Sequence, residues 1–213
     1  MKLGVFDSGI GGKAVAESLQ KEFPEAEVLY VHDREHVPYG SREETEIISL
    51  TDAAIQPLLK EKCDAIVIAC NTATAAAIEV LRARYPGVPF IGLEPMVKPA
   101  AALTESGVIA ICATPYTLSS ARYQSLKNRF AQGVKIVEPD CSNWASLIEG
   151  NALSEQQIEA TVDAVCGAGA DVIVLACTHY HWIKEDIIQF ANGRATVIDP
   201  SEAIARRVRD LVY

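Results

Sequence analysis

Short apolar runs alternate along the chain with longer stretches in which apolar positions recur every three or four residues. The runs Lys2 to Phe6, Glu27 to Val31, Ala65 to Ala69 and Phe90 to Leu93 read as strands, as do Gly107 to Cys112, Val134 to Val137, Val172 to Ala176 and Thr196 to Ile198. Their brevity and Val/Ile content favour strand over buried helix. The stretches Gly12 to Glu22, Glu43 to Lys60, Thr74 to Arg84 and Leu118 to Phe130 read as helices, followed by Ser154 to Cys166, His181 to Phe190 and Ser201 to Val212. Ser201, behind Pro200, is a candidate cap for the last of them. Strands alternating with helices imply βαβ units and mostly parallel sheets. Strands that are apolar along their whole length imply sheets covered on both faces.

The pattern also repeats. CDAIVIACNTATAAAI, from Cys63, and ADVIVLACTHYHWIKE, from Ala170, share an Asp, an apolar run, an Ala-Cys pair and a following helix. Asp64 matches Asp171 and Cys70 matches Cys177. The same offset sets Asp7, in LGVFDSGIGG, against Thr114, in IAICATPYTLSS. The fold class expected is therefore α/β, with two pseudo-symmetric doubly wound domains and the active site in the cleft between them. The first domain is expected over residues 1–97 plus 200–213 and the second over 98–199, with the division near Val97 to Pro99.

Composition narrows the function. Hydrophobic residues are 49% and charged residues 22% of the 213, an ordinary globular balance. Nineteen Lys and Arg against 28 Asp and Glu give a net charge of -9, with no basic run to bind a phosphate backbone. Nucleic acid is not an expected partner. No apolar run reaches the roughly 20 residues of a membrane span, and the glycine-rich N-terminus does not read as a signal peptide. A membrane is not an expected partner either. The cysteines Cys63, Cys70, Cys112, Cys141, Cys166 and Cys177 lie mostly in or beside apolar runs, and are read as free thiols of a reducing, cytoplasmic compartment.

Ligands of open parallel sheets bind beyond the carboxyl ends of the strands. Four segments place small polar groups there: Asp7-Ser8-Gly9, Cys70-Asn71-Thr72, Thr114-Pro115-Tyr116-Thr117 and Cys177-Thr178-His179. The amides of a helix N-terminus suit a carboxylate or phosphate. A thiol at such a position is expected to have a lowered pKa. Two matched thiols can serve as general base and general acid on opposite faces of one carbon, which inverts a stereocentre. Asp7 is a candidate to orient or deprotonate Cys70, and His179 to tune Cys177. A single thiol at a strand end more often only packs the core. A metal is not expected, because Cys177, His179 and His181 lack the three or four converging ligands of a zinc site. His32 and His36 read as surface or hinge residues, and Trp144 and Trp182 as packing for the second half.

The blocks FDSGIGG (Phe6 to Gly12), HDREHVPYG (His32 to Gly40), ACNTAT (Ala69 to Thr74) and ACTHY (Ala176 to Tyr180) resemble the glutamate racemases of the cofactor-independent aspartate/glutamate racemase family. GLEPMVKPA, ATPYT and SLIEG are weaker echoes, and all the blocks are collinear over nearly the whole chain. The resemblance implies interconversion of L- and D-glutamate by two cysteines without pyridoxal phosphate or any other cofactor, supplying D-glutamate for peptidoglycan. It implies that Cys70 and Cys177 are catalytic, with Asp7, His179 and Glu149 assisting. It further implies substrate contacts from Asp7, Ser8, Tyr39, Gly40, Asn71, Thr72, Thr178 and His179, with Thr114 and Thr117 as further candidates. Family members usually carry Pro where His181 stands. They usually also extend several dozen residues further, completing the first domain and helping to cover the cleft. The sequence leaves open a racemase of aspartate or another small acid, a binding module for acidic amino acids, and a homodimer.

Overall fold

The structure, a computed structural model, describes residues 1–212; Tyr213, assigned above to the first domain, lies outside the described residues. The chain separates into two compact units, Met1–Glu94 with the segment from Pro200 onward, and Pro95–Asp199. The first unit begins β1 (Lys2–Asp7), α1 (Gly12–Glu22), β2 (Glu27–His32), α2 (Glu44–Ala54) and α3 (Gln56–Lys60). It continues with β3 (Ala65–Ile68), α4 (Asn71–Arg84) and β4 (Phe90–Gly92). The second unit begins α5 (Val97–Leu103), β5 (Val108–Ala113), α6 (Pro115–Ser119), α7 (Ala121–Phe130) and β6 (Lys135–Val137). It continues with α8 (Trp144–Glu149), α9 (Glu155–Gly167), β7 (Val172–Ala176), α10 (Lys184–Ala191) and β8 (Thr196–Ile198). Helix α11 (Ser201–Val212) then returns to the first unit.

Each unit holds one four-stranded parallel sheet, in the order β2-β1-β3-β4 and β6-β5-β7-β8. The two orders are equivalent, which places the switch in strand order at β1/β3 in one unit and at β5/β7 in the other. The continuous apolar runs reflect burial on both faces. In the second unit Ala110, Cys112, Ile173 and Leu175 pack on one side with Ile158, Val162 and Ile187, while Ile109, Ile111, Val172 and Val174 pack on the other with Val97 and Tyr123. Helix α11 holds the first unit by one stripe: Ile204, Ala205 and Val208 join Leu3, Val5, Leu19 and Val67. Burying a side chain such as Ile204 or Val208 stabilises this attachment by about 1.5–3 kcal/mol.

The repeated Asp has a structural task in both halves. Asp64 Oδ2 accepts from the Lys2 amide at 2.7 Å, and Asp171 Oδ2 accepts from the Glu105 and Ser106 amides, each at 2.7 Å. Each carboxylate thereby ties the entry of one strand to the entry of its neighbour.

Several expected helices are divided. The stretch over Glu43 to Lys60 breaks at Ile55, ahead of Pro57, whose ring and missing N–H do not continue a helix. The stretch over Leu118 to Phe130 splits at Ser120, whose hydroxyl caps α7 by accepting from the Tyr123 amide at 3.2 Å. The helix expected from His181 starts at Lys184, after a 3-10 helix over Thr178–Ile183. Helices α5 and α8 were not expected, and α5 covers the position at which the sequence divides the domains. The structural division falls earlier, between Glu94 and Pro95.

Candidate active site

In the first unit the relevant side chains meet at the carboxyl ends of β1 and β3, at the switch point. Asp7 ends β1 and is fully buried. Its Oδ2 accepts from the amides of Gly9 and Gly12, each at 3.0 Å. The Tyr30 hydroxyl donates to the Gly9 carbonyl at 2.7 Å and pins the same turn. Helix α1 starts so close to β1 that a Cβ on Gly12 would lie 2.3 Å from the Asp7 Cβ. Only glycine permits that approach.

Cys70 caps α4: its Sγ accepts from the Ala73 amide at 3.4 Å and lies 3.2 Å from the Ser8 hydroxyl. Burial, and after it the charge of Asp7, pushes the thiol up to about 11, against the lowering effect of the bonds from Ser8 and Ala73. This corrects the expectation of a lowered pKa: at this helix N-terminus the loss of water outweighs the amides. Asn71 and Thr72, the first residues of α4, are buried. Asn71 is 4% exposed, and neither atom of its amide has a hydrogen-bond partner among the described residues. Such a group is costly to bury unless something binds it.

Tyr39 and Gly40 form a 3-10 turn with Ser41. The buried Tyr39 hydroxyl donates to Asp33 Oδ2 at 2.8 Å, and its ring lies 6.4 Å from that of Phe6 in β1. Burial, the bond to Asp33 and the nearby charges of Asp33 and Cys70 all raise its pKa, so it stays a donor. Asp33 is thus a contributor that the sequence reading missed. It sits in the same block as Tyr39, but only the folded loop brings it to the hydroxyl.

In the second unit Thr114 follows β5 and Cys177 follows β7, again at the switch point. The Thr114 hydroxyl donates to the Thr117 hydroxyl at 3.0 Å and accepts from the Thr117 amide at 3.3 Å, capping α6. Cys177, Thr178 and His179 are buried. His179 Nε2 lies 2.8 Å from Glu149 Oε1, and Cys177 Sγ lies 3.7 Å from His179 Nδ1. A carboxylate only accepts, so Nε2 carries a hydrogen, and in the neutral ring Nδ1 is left to accept from the thiol. The arrangement is a thiol–imidazole–carboxylate relay, the type of grouping that activates a cysteine.

Tyr180 and Trp144 fix the 3-10 segment that carries His179. The Tyr180 hydroxyl donates to the Cys141 carbonyl at 3.1 Å, and the two rings meet edge to face at 5.4 Å. Trp182 does not pack the unit as expected; it is 49% exposed, because the 3-10 helix turns it outward. His36 is bonded to Asp33 rather than standing as a bare surface group. All six cysteines are free thiols. Among the described residues no group of three or more His, Cys, Asp or Glu is arranged to hold a metal ion.

Known proteins are similar to this chain in sequence and in fold. The family described as Asp/Glu/Hydantoin racemase matches residues 13–208. The glutamate racemase of Ectopseudomonas mendocina (strain ymp) is 39% identical over 214 residues, covering 99% of this chain and 81% of that protein. The crystal structure of Escherichia coli glutamate racemase in complex with L-glutamate and the activator UDP-MurNAc-ala superposes with a TM-score of 0.82 at 29% identity, covering 99% of this chain and 82% of that one. Glutamate racemase from Francisella tularensis subsp. tularensis SCHU S4 in complex with D-glutamate gives 0.81 at 26% identity, covering 99% and 80%. With a doubled parallel sheet, a buried strand-end thiol in each half and a match over nearly its whole length, the chain belongs to the Asp/Glu/Hydantoin racemase family.

Proposed function

We propose that the protein is a glutamate racemase, an isomerase that interconverts L- and D-glutamate without pyridoxal phosphate, with Cys70 and Cys177 serving opposite faces of the α-carbon. The observation that carries this reading is the duplication of a strand-end thiol with unlike proton partners. Cys70 rests as a thiol. With a pKa of about 11, holding it as a thiolate near neutrality costs on the order of 5 kcal/mol. Cys177 has a base at hand in His179, whose ring Glu149 orients by accepting from Nε2.

In one direction the Cys177 proton passes to His179 Nδ1, and the thiolate removes the α-proton. The electron pair left on the α-carbon spreads into the adjoining carboxylate. Cys70 then gives its proton to the opposite face, which leaves an inverted substrate, a Cys177 thiol, a protonated His179 and a Cys70 thiolate. The reverse direction runs through the same groups, with Asp7 beside Cys70 governing the ease of its ionisation. Donors for the substrate carboxylates come from Ser8, Thr72, Thr117 and Thr178, the amide of Gly40, the Tyr39 loop and Asn71, with Thr114 directing the Thr117 hydroxyl. The unpartnered Asn71 amide supports a polar ligand on the α4 side.

The product D-glutamate serves peptidoglycan synthesis. The six free thiols suit the cytoplasm, and among the described residues no helix is long and apolar enough to cross a membrane. The test compares the wild type with Cys70→Ser and Cys177→Ser on both glutamate enantiomers, with aspartate in parallel. Severe loss on glutamate in each folded variant supports the proposal. Unimpaired turnover in both, or turnover of aspartate alone by the wild type, overturns it.

A further inference from the structure

We propose that His36 is a positioning residue for substrate binding, holding Tyr39 and the adjoining Gly40 loop in place through Asp33. This inference rests on the glutamate racemase reading and adds a residue to it. The loop leaves β2 directly beside Asp7: His32 lies opposite Asp7 in the parallel register, and the Asp33 amide donates to the Asp7 carbonyl at 3.2 Å. Asp33 thus has a backbone tie to the Cys70 side of the fold. Its side chain gathers the loop. His36 Nδ1 lies 2.8 Å from Asp33 Oδ1 and 3.0 Å from Oδ2, and the Tyr39 hydroxyl donates to Oδ2 at 2.8 Å.

Facing a carboxylate, His36 Nδ1 carries the hydrogen and donates it. Tyr39 alone leaves Oδ1 unheld and the carboxylate free to turn about its terminal torsion. His36 removes that freedom, because it engages both oxygens and leaves Oδ2 directed at the tyrosine. The far side of the loop is clasped as well. Arg42 Nε donates to the His36 carbonyl at 2.8 Å, the Arg42 amide donates to the Tyr39 carbonyl at 3.1 Å, and the guanidinium pairs with Glu46 on α2. The imidazole itself is partly open, with 43% of its side chain exposed, so its replacement leaves the core intact. Its contacts serve the loop that carries Tyr39, and the Tyr39 ring packs against β1 within electrostatic reach of Cys70. An interaction that holds a binding loop equally in the ground and transition states acts on KM rather than on kcat.

The experiment measures kcat and KM for L- and D-glutamate in the wild type, His36→Ala and His36→Asn, with thermal unfolding of each. Asn places an amide donor close to where Nδ1 stands. The expected result is a rise in KM of about fivefold or more in His36→Ala, a kcat within about twofold, and near wild-type KM in His36→Asn. A KM within about twofold of wild type in His36→Ala overturns the inference, as does equal impairment of both variants. A wild type that does not racemise glutamate refutes the underlying function instead, so the two failures are distinguishable.

Discussion

Replacing Gly12 by alanine tests how tightly the start of α1 is bound to Asp7. The added Cβ would stand 2.3 Å from the Asp7 Cβ, 3.1 Å from its Cγ and 3.2 Å from the Tyr30 ring, while real Cβ contacts essentially never fall below 3.0 Å. The colliding atom is the root of a buried side chain rather than a flexible tip. Asp7, or the first turn of α1, must therefore move by the better part of an ångström. Overpacking of this kind costs about 1–3 kcal/mol of stability. The movement also strains the bonds from the Gly9 and Gly12 amides to Asp7 Oδ2. A misplacement of about 1 Å can lower a rate by about 100-fold, so kcat/KM for glutamate should fall by one to two orders of magnitude. Gly87→Ala is the control, since nothing lies within 4 Å of its Cβ position and the residue is exposed. The assay combines steady-state kinetics with urea unfolding for both variants. If Gly12→Ala keeps wild-type kcat/KM and wild-type stability, the close approach of α1 to Asp7 is wrong.

Three further outcomes are expected. Because burial and the Asp7 charge raise the Cys70 pKa to about 11, the unfolded chain loses this proton first as the solution becomes alkaline. The stability contributed by the neutral thiol is thus present below about pH 9 and is lost as pH rises toward about 11. Asp7→Asn should lower the Cys70 titration, as read by the thiolate absorbance difference between that variant with and without Cys70→Ser; an unchanged titration contradicts the role given to Asp7. For Asp171, burial acts to raise the pKa, but the bonds from Thr104, Ser106 and Glu105 outweigh it and hold the carboxyl at about 2. Its contribution is therefore present above the ordinary value of 3.8 and is lost as pH falls through about 2. Asp171→Asn should destabilise the fold by about 1.5–3 kcal/mol near neutrality and flatten the acid limb of the unfolding profile, whereas an unchanged acid limb refutes the assignment. Glu149→Gln removes the negative partner of the His179 ring, and kcat should fall by about 10-fold or more with a smaller change in KM. Wild-type kcat in this variant contradicts the relay.

The central strands were readable because they are covered on both faces, so β1, β5 and β7 appear as unbroken apolar runs. The matching of Cys70 with Cys177 and of Asp7 with Thr114 was readable for a related reason. The same strand-turn-helix unit occupies the same place in each sheet, and the strand ends at the switch point carry the small polar groups. Helix limits were less readable. Whether Ser120 continues a helix or caps the next one depends on where its hydroxyl finds an amide. Helix α8 is too short to show a period, and α5 carries Pro99 within an alanine-rich stretch.

The ionisation of Cys70 was misread because its position in the chain announces only the helix amides. Burial and the proximity of Asp7 arise from packing across β1 and β3, and they outweigh those amides. The contact between Asp33, His36 and Tyr39 was hidden for a similar cause. Three polar residues spaced three apart in a loop converge only when the loop is closed by Arg42.

The central claim is that two thiols exchange the α-proton of glutamate. The most direct measurement incubates the protein with L-glutamate in D2O, without pyridoxal phosphate. The α-proton is followed by NMR and the enantiomers by chiral chromatography, with Cys70→Ser and Cys177→Ser alongside. The account predicts loss of the α-proton signal together with the appearance of D-glutamate in the wild type, and severe loss of racemisation in each variant. An α-proton that persists in the wild type, or racemisation that survives unimpaired in both variants, would contradict it.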